Sequence, residues 1–417
     1  MVDFSSLQNG ITVITDCMDY LETVSIKVFV NAGSRSETLK NNGIAHFLEH
    51  MAFKSTKSYS TREIAKIFDN ISGTFNACTS QEYTIFYVRV LKQYVADALH
   101  ILSDILMNAL FLSDEIEKEK QVVMQEIAQY NDSVDDLIFD KHMHNAYSDS
   151  SLGYLILGDK KCVQQFEKQD LEDFLHTYYH GSNMMVAFAG NLNHNDAYSL
   201  TDKFFSSFRQ TPLDFKVNMP IANRYKTVYK EHRDIEQVHL LYGYTGVSQS
   251  SPNKYLYKII SWILGGGFSS RLYQKIREEE GLVYTVYSYN ECYMDTGLLN
   301  IYAATTADKL PPLNQGISDI IQLLLSDRPV TIEELDRAKT NIVSSLRMSV
   351  ESSNFRAMYA LQSFRNYGKY IPIEDAIKEI TSITLDDVQS KVRDIFDDTP
   401  TITVMGNLST IDSCSNI

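Results

Sequence analysis

The sequence predicts an α+β protein built from two related halves. Strand-like and helical runs are interleaved from end to end. The chain also ends twice in the same way. Leu171-Glu172-Asp173-Phe174 opens a helix before a strand closing in Ala189-Gly190-Asn191-Leu192; Leu385-Asp386-Asp387-Val388 stands likewise before Met405-Gly406-Asn407-Leu408. Asp114-Glu115-Ile116-Glu117 loosely matches Ile332-Glu333-Glu334-Leu335. A unit of roughly two hundred residues is thus used twice. At 417 residues the chain exceeds one ordinary core. The expected domains are residues 1–210 and 211–417.

In the first half, Leu7 to Ile14 reads as a hairpin turning at Asn9-Gly10. Val24 to Val30 alternates as a strand does. A polar loop, 31–42, leads through Gly43 into a helix ending near Lys54. Thr61 to Asn70 is helical, with Ile64, Ile67 and Phe68 on one face. Gly73 to Ser80 and Tyr83 to Val90 form a pair of strands, followed by a helix from Tyr94 to Leu110. Ser113-Asp114-Glu115 caps the next helix, Ile116 to about Gln129, with acidic first turns that suit its dipole. Asp170 to Tyr179 is a helix and Asn183 to Gly190 a buried strand. The stretch 206–224, with Pro212 and Pro220, has no clear period and is expected to link the halves.

The second half echoes the first. Glu236 to Gly243 is a strand, and Tyr255 to Leu264 an apolar helix before Gly265-Gly266-Gly267. Leu282 to Tyr289 and Gly297 to Ala304 are strands. Leu313 to Leu325 is a helix, another opens at Thr331-Ile332-Glu333-Glu334, and Leu385 to Phe396 precedes the strand Thr401 to Gly406.

A net charge of −15 argues against nucleic acid as a partner, which calls for a basic stripe. It fits solubility, or attraction of cationic peptides, equally well. Cys17, Cys78, Cys162, Cys292 and Cys414 are scattered and form no C-x-x-C, so neither a disulfide framework nor a thiolate zinc site is expected. A reducing compartment follows. Met1-Val2-Asp3-Phe4 lacks the basic start and apolar core of a signal peptide, and no apolar run approaches membrane-spanning length.

The chemistry concentrates at His46-Phe47-Leu48-Glu49-His50. Two His four apart lie on one helical face and can reach one metal ion. Glu49, three on from His46, shares that face. Imidazole suits zinc, and a carboxylate beside a zinc-bound water can take its proton. This inverted order, H-x-x-E-H, is the inverzincin signature. With only ten His in the chain, two surface His on an amphipathic helix is the weaker reading. The apolar helix at Tyr255 to Leu264, in the corresponding place of the second half, has no His or Glu.

A catalytic zinc needs one more protein ligand. Glu126, on the helix that starts at Ser113, stands out. Glu119, two turns earlier on the same face, either belongs to the metal's surroundings or is a solvated residue like Glu115 and Glu117; spacing leaves both open. His142 and His144 diverge on a helix. His100, His176, His180, His194, His232 and His239 each read as structural.

The segment Asn41 to Lys54 (NNGIAHFLEHMAFK) resembles, almost throughout, the active-site segment of the pitrilysin/insulysin superfamily of zinc peptidases. The chain is most similar to the mitochondrial processing peptidase β-subunit and its bacterial homologues. The resemblance implies a remote Glu ligand about seventy-five residues past the second His, which points to Glu126, and a Glu seven before it, which matches Glu119. Gly73 to Ala77 with Thr79 resembles the family's edge strand, to which substrate adds as an extra strand. Substrate contacts at Phe53, Asn76, Ala77 and Thr79 are implied. Within Ser269 to Tyr284, Arg277 and Tyr284 match the family's paired substrate-contacting residues, and a phenol there could bond a developing oxyanion.

The family fold implies two homologous domains, each a mainly antiparallel β-sheet packed with α-helices, together forming half of a clamshell. A chain of this length then implies a dimer. Because both the zinc motif and the Arg/Tyr pair are kept, an active homodimer is expected, with Arg277 and Tyr284 reaching the zinc of the opposite subunit. The expected activity is zinc-dependent endopeptidase action on peptides or unfolded segments held as an added β-strand in a chamber, with one Zn2+ per chain. His46, His50 and Glu126 bind the metal, Glu49 is the base, and Glu119 supports from behind. The alternative is a non-catalytic partner or scaffold subunit of a heterodimeric processing peptidase. The expected location is the bacterial cytoplasm, or the mitochondrial matrix if the start is a mature terminus.

Overall fold

A computed structural model of the chain describes residues 2–71, 73–210, 222–326 and 329–408. The expected domain boundary falls at the edge of these residues; Pro212 and Pro220 of the linker, and Cys414, lie outside them.

The chain begins with strands β1 (Val2–Ser6), β2 (Thr12–Cys17) and β3 (Thr23–Val30). Helices α1 (Ile44–Ala52) and α2 (Thr61–Ile71) follow, then the hairpin β4 (Thr74–Thr79) and β5 (Thr84–Leu91). Next come α3 (Val95–Met107), α4 (Ser113–Asp132), α5 (Val134–Ala146), α6 (Lys160–Gln165) and α7 (Lys168–Tyr178). Strand β6 (Met184–Gly190) and α8 (His194–Phe205) complete the first half. The second has β7 (Val228–His232), β8 (Gln237–Thr245), α9 (Lys254–Gly265), a π-helical turn at Tyr273–Glu279, β9 (Thr285–Cys292) and β10 (Gly297–Thr306). It closes with α10 (Leu310–Leu325), α11 (Ile332–Ser349), α12 (Ser353–Tyr367), α13 (Ile373–Ser382), α14 (Leu385–Phe396) and β11 (Thr401–Gly406).

The two sheets have the same plan. Strand order is β1-β2-β6-β3-β5-β4 in one and β7-β11-β8-β10-β9 in the other. Each has a single parallel pair, β2 with β6 and β7 with β11; the rest are antiparallel. Each also places a helix, α1 or α9, after corresponding strands, β3 and β8. The α+β fold of two related sheet-and-helix units therefore holds.

Contacts divide the chain into two compact units. One gathers Met1–Gln129, Tyr154–Pro220 and Met348–Ile371; the other gathers Tyr130–Gly153, Ile221–Arg347 and Pro372–Ile417. Each unit thus takes a helix from the other half of the chain. In the first, Val24, Ile26 and Val28 of β3 pack with Phe47, Leu48 and Met51 of α1 and Leu99 and Leu102 of α3. The opposite sheet face, with Ile14, Phe29, Ala187 and Ala189, is covered by Ala357, Leu361 and Phe364 of α12. Alternation in β3 marks Ser25 and Lys27 as solvent-facing, yet α12's side of the sheet buries both; Ser25 hydroxyl meets that of Ser353 at 2.8 Å. In the second unit, Leu240, Leu299 and Ile301 pack with Ile259, Ile260 and Ile263 of α9, while Leu137 and Ile138 of α5 cover Leu241, Tyr302 and Met405. Fully burying such a side chain stabilises by about 1.5–3 kcal/mol.

Candidate metal centre

Helix α1 carries His46, Glu49 and His50 on a nine-residue span whose other face, Phe47, Leu48 and Met51, is core. That burial fixes the helix's rotation and turns the His/Glu face toward α4. There Glu126 brings Oε2 to 3.5 Å from His50 Nε2 and 3.8 Å from His46 Nε2. His46, His50 and Glu126 each offer a ligand atom, all within 4.8 Å of one another. Among the described residues this is the one such group of three or more His, Cys, Asp or Glu. Two imidazole nitrogens and a carboxylate suit a zinc-type ion.

The surroundings act on the two imidazoles in opposite directions. Burial, with the neighbouring His50, pushes His46 down to about 3, so its ring is neutral. His46 Nδ1 is buried and has no hydrogen-bond partner among the described residues. His50 Nδ1 donates to Glu119 Oε1 at 2.8 Å, which leaves Nε2 and its lone pair for the centre. Burial opposes a charge on His50, but the bond and charge of Glu119, with Glu126 and Glu49, outweigh it and raise its pKa. Glu119 is 5% exposed and also pairs with Lys54 Nζ at 2.5 Å. Burial pushes against its ionisation; His50 and Lys54 overcome that and hold it low. Its helix neighbours lie elsewhere: Glu115 accepts from Ser55 and Thr61, and Glu117 pairs with Lys120.

Glu49 is raised by burial, against the hydrogen bond from Thr79. Thr79 Oγ1 donates to Glu49 Oε2 at 2.6 Å. Thr79 ends β4, the last strand of its sheet, so β4 has an open backbone edge beside the centre. Asn76 is exposed on β4, and its Oδ1 accepts from Ala77 N–H at 2.9 Å; Ala77 is buried. Phe53, just past α1, packs edge-on against Phe75 of β4 at 4.7 Å and near Phe68 at 6.5 Å.

Arg277 and Tyr284 belong to the other unit. The Arg277 guanidinium lies 4.8 Å from the Tyr273 ring centroid and 5.1 Å from that of Tyr284, which is 78% exposed. It also lies 3.9 Å from Glu278, so two aromatic faces and one carboxylate surround it. Sequence reading passed over Lys54 and Tyr273. Lys54 had no helical signal, because α1 ends at Ala52 and Lys54 reaches Glu119 from the turn beyond it. Tyr273 had none, because nothing in the sequence announces a π-helical turn.

Fold and site together define a class: two topologically matched α+β units, with an inverted His-x-x-Glu-His helix and a remote Glu in the first alone. Comparison with known proteins places the chain within it. The family model described as Insulinase (Peptidase family M16) matches residues 12–160, and that described as Peptidase M16 inactive domain matches 165–342. A Rickettsia felis protein named as an uncharacterized zinc protease is 39% identical over 97% of each chain. The Bacillus subtilis zinc protease YmxG, likewise named as uncharacterized, is 35% identical over 95% of this chain and 96% of its own. A Helicobacter pylori protease structure, 22% identical, superposes with a TM-score of 0.91 over 97% of this chain and 99% of that one. This chain belongs to peptidase family M16, the insulinase family. No helix among the described residues is long and apolar enough to cross a membrane.

Proposed function

We propose that this chain is a zinc-dependent endopeptidase of processing-peptidase type, acting on peptides or unfolded segments bound as an added strand within an enclosed chamber. The observation that carries the reading is the approach of His46 and His50 of α1 and Glu126 of α4 to within 4.8 Å, with α1 also presenting Glu49 to the open-edged strand β4. The three residues hold one Zn2+ per chain, which when bound supplies Lewis acidity to a hydrolytic water and the scissile carbonyl. Glu49 takes the proton of the attacking water and returns it to the leaving amine; burial, by raising its proton affinity, suits both transfers. Thr79 keeps that carboxylate aimed. The edge of β4, at Asn76 and Ala77, offers backbone hydrogen bonds to any extended peptide, and Phe53 with Phe75 offers an aromatic wall to its side chains. Arg277 and Tyr284 contact the substrate backbone, Tyr284 as a donor to the developing oxyanion. The working form is a homodimer in the bacterial cytoplasm in which Arg277 and Tyr284 serve the partner's centre.

Metal analysis of the gently purified protein should find about one zinc per chain. Glu49→Gln should retain it and lose at least about 100-fold in peptide cleavage rate. Protein free of zinc, or a Glu49→Gln variant that cleaves like the wild type, would overturn the proposal.

A further inference from the structure

Glu37 is a buried carboxylate that the proposed hydrolysis does not use. It follows a 3-10 turn at Ser34–Ser36, between β3 and α1, and is 5% exposed. Its Oε1 accepts from the Ala45 N–H at 2.8 Å, and its Oε2 accepts from the Gly43 N–H and from Asn42 Nδ2, each at 2.8 Å. These bonds answer a specific need. The first N–H groups of a helix lack intrahelical partners, and a Ser, Thr, Asp or Asn at the cap commonly satisfies one. Helix α1 is capped by Gly43, which has no side chain to do so. Glu37 supplies the acceptors from outside. Burial works against its ionisation and pushes the carboxyl up to about 8, while the three donors pull it down.

The other end of the same segment is tied to the β4–β5 hairpin. Ser34 N–H donates to Ser80 O at 3.2 Å and Arg35 N–H to Gln81 O at 2.7 Å, both in the turn between β4 and β5. Arg35 Nη1 pairs with Glu82 at 2.8 Å. A Cβ on Gly33 would stand 2.1 Å from Ser80 O, so the segment lies directly against that turn. Residues 33–37 therefore join the hairpin carrying Thr79 to the first turn of the helix carrying His46, Glu49 and His50.

We propose that Glu37 is a positioning residue: as the external cap of α1 it sets that helix against the β4 hairpin, and thereby places the His46, His50 and Glu49 side chains. What is placed rests on the metallopeptidase reading; the hold on α1 does not. The test compares Glu37→Ala and Glu37→Gln with Asp16→Asn, a buried carboxylate of the same unit on strand β2 that pairs with Arg356 of α12. Hydrogen exchange on metal-free protein should show the amides at 43–47 losing about tenfold in protection in Glu37→Ala, and less in Glu37→Gln, which keeps one acceptor oxygen. Chelator competition should show zinc binding weakened by about tenfold or more, the cobalt-substituted spectrum should change, and kcat should fall with KM near wild type. Asp16→Asn should lower the melting temperature and leave zinc affinity unchanged.

Unaltered α1 protection together with unaltered zinc affinity in Glu37→Ala would overturn the proposal, as would an equal loss of zinc in Asp16→Asn. If Glu37→Ala does not fold, Glu37→Gln carries the measurement. A wild type that binds no zinc would sink the metallopeptidase reading, and the exchange data would still decide whether Glu37 holds the helix.

Discussion

Thr79 sits where strand and helix chemistry meet. Its hydroxyl is spent on Glu49, 2.6 Å away, and its side chain is buried. Thr79→Val keeps the shape and removes the donor. A hydrogen bond to a charged group is worth about 1.5–3 kcal/mol, so kcat should fall by roughly 10- to 100-fold at unchanged zinc content. Steady-state kinetics beside metal analysis checks this; an unchanged kcat would mean that Glu49 needs no such support. A second group of titratable residues lies in the other unit. Burial pushes Glu291 up to about 7, with the Asp140 charge adding to it, and pushes Asp140 up to about 6, with Asp136 adding to it. Both values lie above those of an unfolded chain, so their contribution to stability is full in acid and is lost as pH rises through 6 to 7. Glu291→Gln removes the ionised form and can still accept from Asn300 Nδ2, as Glu291 does at 3.1 Å. It should raise the melting temperature at pH 8 by about 3 °C and leave it unchanged near pH 4; thermal melts at the two pH values decide. At this scale the sequence was most legible where helical period did the work. His46, Glu49 and His50 follow from spacing alone. Glu126 does not, because its approach depends on how α4 packs against α1; it stood out among the candidates on its helix, and the family spacing then pointed to it. Spacing left Glu119 open until the resemblance favoured it, since its burial comes from the meeting of two helices and not from the period of its own.

Helix α1 depends on a backbone conformation as much as on its side chains. Gly43 has φ of 97°, and a Cβ there would stand 2.7 Å from the Cα of Gly158 and 2.9 Å from Leu157 O. Backbone atoms cannot swing aside as side-chain ends can. Gly43→Ala should therefore cost about 1–2 kcal/mol from the left-handed conformation alone, with the clash added. We expect a melting temperature lower by at least about 3 °C and weaker zinc binding, measured by thermal melts and chelator competition. A melt that matches the wild type would mean that the turn relaxes freely. Elements with a strong apolar period, such as α3, α9, α10 and β10, were legible. Those missed lack it for identifiable reasons. The buried face of α12 is largely Ser353, Ala357, Ala360 and Ser363, small residues that leave no stripe. On α5 the apolar face is interrupted by the buried His142, whose Nδ1 bonds to the Thr403 hydroxyl at 3.0 Å. Strand β7 is a polar edge strand, partly exposed throughout.

At the scale of the molecule, the proposed homodimer has a direct genetic test. If Arg277 serves the partner's centre, a mixed dimer of Glu49→Gln and Arg277→Ala chains regains one intact site, and random mixing should restore about one quarter of wild-type activity. Verified mixed dimers without recovery would place both functions in one subunit. The repeat was legible because both copies end in matching helix and strand starts. The exchange of α5 and α12 between the units was not, because sequence order says nothing about which sheet a helix covers. That exchange makes residues 1–210 an incomplete unit. Without α12 the fragment exposes Ile14, Phe29, Ala187 and Ala189. It also loses Arg356, which grips Asp16 with bonds of 2.5 and 2.7 Å, and Arg365, which reaches Glu82 at 2.9 Å in the turn of the β4–β5 hairpin. Breaking a buried pair costs roughly 3–5 kcal/mol, comparable to the whole stability of many domains. The fragment alone should bind a hydrophobic dye and melt without a sharp transition. A peptide of residues 348–371 should restore a cooperative melt and bind saturably, while the same peptide with Arg356 and Arg365 changed to Ala should do neither. A fragment that melts cooperatively by itself, with Phe29 and Ala187 amides fully protected from exchange, would show that α12 only rests on a sheet already complete.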